Sequence, residues 1–425
     1  MKIAVIGAGF TGLSAAFYLS KAGYDVSIFE KESFPGGLAA GFIQPKWNWT
    51  LEKSYHHLFT NDNDILNLAK EINIKILVKR PKTSVYVKNK IHQLDSPFSV
   101  LKFPLLSLFE RLRMGATIAF LKYNPFWKYL EKYNATIMLP KLMGKKSYEM
   151  IWQPLFINKF GQFSNNISLA WFWARIRKRT SSLAYPEGGF LKFANKLVEE
   201  IKNRKGIFYF NAEVKNISSK DKVQIKFGKS DKLEEIKSFD LAVVTISSSL
   251  FSKIAQLPNV YKENLSKLKS IGTTNLVLRL KKPFLKDGTY WLNICDKNNP
   301  IMAIAEHTNF MDKKNYNNEH LLYIGNYKPV NDSYFSMTKE DMLDHFDPYL
   351  KKINPDYKKD IIGFDFFKDY FAQPIIPTNY SKFIPPFKTP LKNVYLANIE
   401  QVYPWDRGTN YAIGIGEKVA KLLLK

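Results

Sequence analysis

The chain has 425 residues, 45% hydrophobic and 15% aromatic, which is enough apolar side chain for a substantial core and excludes disorder, collagen-like repeats and a disulfide-stapled miniprotein. A length of this kind predicts two domains, and the single cysteine, Cys295, can neither close an intramolecular disulfide nor supply a cysteine zinc site. With 63 Lys and Arg against 38 Asp and Glu, the net charge is +25, a surplus that draws acidic partners within a Debye length of about 8–10 Å.

Residues 2–6 form a short β-branched run, residues 12–22 have helical composition and residues 25–30 alternate again, so the chain opens as a βαβ unit on a parallel sheet. The uncharged run 3–20 superficially imitates a signal peptide. It holds three glycines, a threonine and two serines, and is read as a buried strand and turn. No other segment reaches the ~20 apolar residues of a membrane span. The expectation is a cytoplasmic protein, with peripheral contact at the inner membrane face as an option, and Asn48-Trp49-Thr50 then carries no glycan.

Residues 84–94 predict a hairpin around Lys88-Asn89-Lys90, outside the first sheet. From 98 to 180 there are 14 Lys and Arg against three Glu, with 17 aromatics at roughly helical spacing, a basic helical stretch. A helix at 190–203 leads to strands at 207–210, 213–217, 222–227 and 240–246. Residues 273–328 alternate strand-like runs with turns, as in an antiparallel sheet. A Pro-rich connection (373–390), a strand (394–397) and a helix (414–424) close the chain.

Gly7-Ala8-Gly9-Phe10-Thr11-Gly12 is a G-x-G-x-x-G between a strand and a helix. Its glycines allow a tight turn, close approach of a diphosphate and close helix–strand packing, with the helix N-terminus holding the negative charge. Glu30 ends the next strand, where a carboxylate accepts the hydroxyls of an adenosine ribose and disfavours a 2′-phosphate. Lys31 follows it, and Gly36-Gly37-Leu38 offers a second stretch of backbone with little side chain. A second glycine loop suggests a longer cofactor than one diphosphate needs.

On these residues the sequence resembles the FAD-dependent amine oxidase and protoporphyrinogen oxidase superfamily, which includes phytoene desaturases and UDP-galactopyranose mutases. The resemblance implies FAD and a discontinuous α/β Rossmann-like domain of the glutathione-reductase type. That domain is expected from residues 1–80, 184–250 and 371–425. An α+β substrate domain, with an antiparallel sheet and the helical basic insertion 98–180, is expected from 81–183 and 251–370. By the same resemblance the Val214 backbone meets the adenine and Thr245 ends the strand that closes the nucleotide domain. Residues 394–398 and 406–416 then form the flavin segment, with Asn398, Asp406, Asn410, Tyr411 and Ala412 near the ring. Many relatives carry Gly-Asp or Gly-Glu after the Leu-Ala, where this chain has Asn398-Ile399; Asn398, Glu400 or Asp406 then stands in for the acidic ribityl contact.

Two histidines follow the glycine loops, His56 and His57. Adjacent residues of an extended strand face opposite ways, so one imidazole is expected to point inward and a shared metal is not expected. His57-Leu58-Phe59 resembles the His-Ile-Phe of the mutases, which implies a place near the flavin and a role orienting substrate or tuning the ring. His92, His307, His320 and His345 lack metal spacing, and no Gly-x-Ser-x-Gly, P-loop or second dinucleotide fingerprint is present.

The expectation is therefore an FAD-dependent oxidoreductase taking a hydride from an apolar or phosphate-bearing small molecule, anionic or lipid-like in character. The alternatives are a mutase-like sugar isomerase, with Arg175 or Arg279 on the diphosphate, and a non-catalytic FAD-binding accessory protein. The aromatic stripes of 98–180 read first as helical core with Lys and Arg on a solvated face; Arg175, Arg177, Lys178 and Arg179 beside Trp171, Phe172 and Trp173 also suit an anionic membrane, and no nucleic acid partner is expected.

Overall fold

In the computed structural model, residues 1–228 and 234–424 are described. The strand Lys2–Ile6 is buried at all positions but its first, which suits a parallel strand covered on both faces. It is central in a five-stranded parallel sheet of order Ile207–Tyr209, Asp25–Phe29, Lys2–Ile6, Leu241–Val244, Val394–Leu396. Three widely separated stretches of chain thus meet in one sheet. An antiparallel meander, Glu213–Ser219, Val223–Gly228 and Glu235–Phe239, stands beside it.

A second, seven-stranded sheet runs Ile361–Pro374, Ser270–Leu280, His320–Lys328, Ala303–Glu306, Thr289–Ile294, Lys82–Val87, Lys90–Gln93. It is antiparallel except where Thr289–Ile294 meets Lys82–Val87. Lys88 and Asn89, both at positive φ, make the two-residue turn of its edge hairpin. The strand Ile361–Pro374 went unpredicted because its alternation is broken by charged residues and it runs into the Pro-rich stretch.

The basic region folds into helices, among them Leu108–Tyr123, Ala135–Met143, Gln153–Phe160 and Leu169–Lys178. Ser107 and Glu110 form a capping box at the first of these, and Met114, Leu121, Leu139 and Met143 face the core. Among the described residues no helix is long and apolar enough to cross a membrane.

The closing helix spans Thr409–Leu423, five residues earlier than its composition predicts, because Gly414 and Gly416 mask the helical pattern. It lies against the opening helix, Phe10–Lys21, at backbone contact. A Cβ on Gly416 would stand 2.4 Å from the Thr11 carbonyl oxygen, and the Ser14 hydroxyl donates to the Ile413 carbonyl at 2.8 Å. Replacing Gly416 with valine is therefore expected to force the helices apart at a cost of about 1–3 kcal/mol. Thermal unfolding checks this: the midpoint should fall by several degrees, and an unchanged midpoint contradicts the contact.

Candidate active site

The site begins at the end of the first strand. Gly7 takes φ +101°, a left-handed geometry that turns the chain into the helix, and its N–H donates to the Phe29 carbonyl at 2.8 Å. A Cβ on Gly12 would lie 1.9 Å from the Gly7 carbonyl oxygen, so the third glycine is required by packing. The helix starts after Gly9 with no side-chain cap and no acidic residue in its first turn. Its first N–H groups are thus left for an anion. Phe10 contributes only that backbone, because its ring is buried against Phe190 and Phe193.

The second glycine loop lies directly on the first. Gly36 and Gly37 both have positive φ, and a Cβ on Gly37 would stand 3.0 Å from Gly9 Cα. Glu30 is buried beneath them, where it accepts the Ala8 N–H at 2.7 Å and the Glu32 N–H at 3.0 Å. Burial raises its pKa, and the two N–H bonds work against that rise. Lys31 points to solvent beside Glu32. Thr245 seals the turn from the other side, its hydroxyl donating to the Ile6 carbonyl at 2.8 Å. Val214 is buried at a register shift of its strand.

The last helix supplies a second uncapped start. It follows Gly408 with no side-chain cap and no acidic first turn, and its opening residues Thr409, Asn410 and Tyr411 line a cavity of about 270 Å³. Asn410 itself is turned aside, its side-chain oxygen accepting the Ile65 N–H at 3.1 Å. Ala412 donates its N–H to the Gly408 carbonyl at 3.0 Å within the first turn. The Tyr411 ring stacks on Trp405. Leu38, Tyr55, His56 and Arg407 border a second cavity of about 10 Å³, room for one water.

Asn398 is spent on the protein. It caps the turn Ile399–Gln401 in a capping box, and its amide donates to the Ile246 carbonyl at 3.1 Å. Glu400 is likewise buried, accepting the Ser248 N–H and hydroxyl. Asp406 lines the large cavity but is already held: Trp171 Nε1 donates to it at 3.1 Å, Gln373 at 3.3 Å, and Arg175 pairs with it. Burial would raise the Asp406 pKa; Arg175, Lys159 and Arg407 outweigh it and hold the carboxyl well below the usual range.

His56 and His57 precede the short strand Leu58–Phe59 in irregular backbone, so the alternation expected of a strand does not apply, and both rings line the cavity. His57 Nδ1 meets the Tyr290 hydroxyl at 3.1 Å, and His56 Nδ1 donates to the Ser54 carbonyl at 2.7 Å. Burial, reinforced by Arg179, His56 and Arg175, pushes the His57 pKa down to about 3; burial brings His56 to about 4. Both imidazoles are neutral at pH 7.

The basic stretch behaves differently from its sequence reading. Trp171, Phe172 and Trp173 are buried, and Arg175, Lys178 and Arg179 face the cavity, so this segment is a wall of the site and not an outer membrane anchor. Arg279 is absent from that wall and turns toward Glu319 and Asp365. Sequence reasoning missed Lys159 and Tyr327, which line the cavity from a helix and a strand and which no local motif marks; Arg407 lay inside the flavin segment 406–416 but was given no role of its own. Five cations (Lys159, Arg175, Lys178, Arg179, Arg407) thus face two carboxylates, Asp62 and Asp406, among aromatic walls.

A family model for flavin containing amine oxidoreductases matches residues 10–404. Zeta-carotene desaturase from Capsicum annuum is 33% identical over 103 residues, 24% of this chain and 17% of the desaturase. Coproporphyrinogen III oxidase from Staphylococcus aureus is 24% identical over 295 residues, 59% of this chain and 61% of that enzyme. The chain therefore aligns with less than two thirds of the length of these curated relatives. Among solved structures, reduced UDP-galactopyranose mutase superposes with a TM-score of 0.77 at 16% identity, covering 100% of this chain and 95% of that one. Cyclohexylamine oxidase from Brevibacterium oxydans IH-35A gives 0.74 at 13% identity, over 100% and 99% of the two chains. At these identities the likeness is one of fold. The glycine cradle and the two uncapped helix starts fit FAD, and with a family match from residue 10 to residue 404 the chain belongs to the flavin containing amine oxidoreductases, with FAD as its cofactor.

Proposed function

We propose that this oxidoreductase removes a hydride from an organic acid with an apolar or unsaturated body, seated in the large cavity. The observation that carries the reading is the cavity itself, aromatic in its walls, positive in its charge and open to the start of the last helix. Bound FAD supplies a two-electron acceptor there. The protein's share is binding, orientation and electrostatics.

In this reading the N–H groups of Phe10, Thr11 and Gly12 hold the diphosphate, Glu30 the ribose hydroxyls and Val214 the adenine. Gly9, Gly36, Gly37 and Leu38 give the coenzyme a stretch of backbone with little side chain to lie against. The start of the helix Thr409–Leu423 would present its free N–H groups to the ring system and favour negative charge there. Neutral His57, steadied by Tyr290, orients the substrate and does not act as a cationic acid. Asp406 sets the positions of Arg175 and Trp171, in place of the ribityl contact. The division into an FAD part (1–80, 184–250, 371–425) and a substrate part belongs to the same proposal.

One observation favours a second reading: Arg175 and Arg179 line the same cavity and suit a diphosphate sugar. Anaerobic mixing of the oxidised protein with coproporphyrinogen III, zeta-carotene and cyclohexylamine separates the two. Bleaching of the visible flavin band by coproporphyrinogen III is expected, and bleaching by zeta-carotene alone contradicts an acidic substrate. Bleaching by the amine alone contradicts the cavity's charge, and turnover only of UDP-galactopyranose by pre-reduced protein supports isomerisation instead.

Peripheral contact with anionic lipid is also proposed, on a face other than the one the sequence indicated. Phe98, Leu108, Phe109, Phe120, Tyr123 and Phe126 are 53–75% exposed on the outer side of the helical layer. Lys102, Lys128 and Lys132 are exposed in the same stretch of chain, so exposed apolar side chains and positive charge alternate along residues 98–132. Replacing Phe109, Tyr123 and Phe126 with serine should cut sedimentation with phosphatidylserine vesicles several-fold while leaving FAD content unchanged. Equal sedimentation of the two proteins would remove this part of the proposal.

A further inference from the structure

The helix Gln153–Phe160 turns Pro154, Phe156, Lys159 and Phe160 toward the interior. A lysine on such a face is costly unless something pairs with it. Lys159 is 8% exposed, lines the large cavity, and among the described residues its Nζ makes neither a hydrogen bond nor an ion pair. What surrounds it is aromatic: the ring centroids of Tyr327, Trp171 and Phe160 lie 4.6, 5.6 and 5.8 Å from Nζ. The nearby carboxylate, Asp406, is already engaged by Arg175, Trp171 and Gln373. One buried ammonium is therefore left over, facing the space in which the substrate is read to bind.

We propose that Lys159 is the deep anchor of an anion subsite, taking a carboxylate or phosphate of the substrate while the Trp171 and Tyr327 rings pack on its body. The inference rests on the reading of this cavity as the substrate site. Arg175 and Arg179, more exposed on the same wall, draw the anion in, and Lys159 fixes where its acidic group stops. Burial and the Arg175 charge depress the Lys159 pKa well below the ordinary ammonium value. An anion beside it reverses that effect. Binding above the free-state pKa is thus accompanied by uptake of a proton at Nζ, and affinity falls as pH rises through the pKa of the complex.

Calorimetry on the FAD-loaded protein tests this with four probes that share a phenyl ring and differ in charge: benzoate, phenyl phosphate, benzamide and benzylammonium. The wild-type protein should prefer one of the anions over benzamide, and which anion binds better identifies the acidic group. Repeating the titration in two buffers of different ionisation enthalpy should show proton uptake. Lys159→Met, which keeps length and apolar volume, should weaken the anion by about tenfold or more, abolish proton uptake and leave benzamide unchanged. Lys159→Arg should restore the preference. Equal anion affinity in wild type and Lys159→Met overturns the subsite, as does a wild-type protein with no preference for anions; the wild-type titrations decide even if the methionine variant does not fold. FAD extracted from each preparation keeps the two levels apart, since protein that holds no FAD strikes the functional reading, whereas FAD-bound protein indifferent to anions strikes Lys159 alone.

Discussion

The structure depends on the backbone contact between its first and last helices. Gly416 admits the Thr11 carbonyl, Ser14 bonds across to Ile413, and Asn410 ties the last helix to the Ile65 N–H. These contacts fix two uncapped helix starts in one framework, at Gly9 and at Gly408. Each start carries unpaired N–H groups and the positive end of a helix dipole. The proposed placement of the coenzyme, phosphates at one start and ring at the other, would use both.

Charge organises the other half of the site. Asp406 sits just before the last helix, yet its partners come from Leu169–Lys178 and Ile361–Pro374. One carboxylate thereby joins the helical layer, the large sheet and the closing segment. It offsets part of the charge of Arg175 and leaves Lys159 and Arg179 without such a partner. The cavity remains positive, and the proposal of an acidic substrate rests on that charge.

The parallel sheet, the glycine turn and the hairpin at Lys88-Asn89 were legible because each rests on local chemistry: continuous apolar strands, a spacing of glycines, two residues that tolerate positive φ. FAD and the family followed from the same residues. The start of the last helix was misplaced because Gly414 and Gly416 lower helical propensity that tertiary packing restores. In the basic aromatic stretch the aromatic stripe was legible as core, as Trp171 and Trp173 are, but nothing local showed that Arg175 and Arg179 line the cavity. Asn398 matched a motif by position, but its amide completes a turn. Lys159 was invisible because its meaning comes from Tyr327 and Asp406, far away in sequence.

Hydrogen–deuterium exchange on the protein stripped of FAD and then reloaded tests most directly whether both ends of the chain hold one coenzyme. Slower exchange on reloading is predicted in two separated peptides, one covering residues 7–12 and one covering 408–412. Protection confined to the first, with the second exchanging as fast as in the stripped protein, would contradict the two-ended grip.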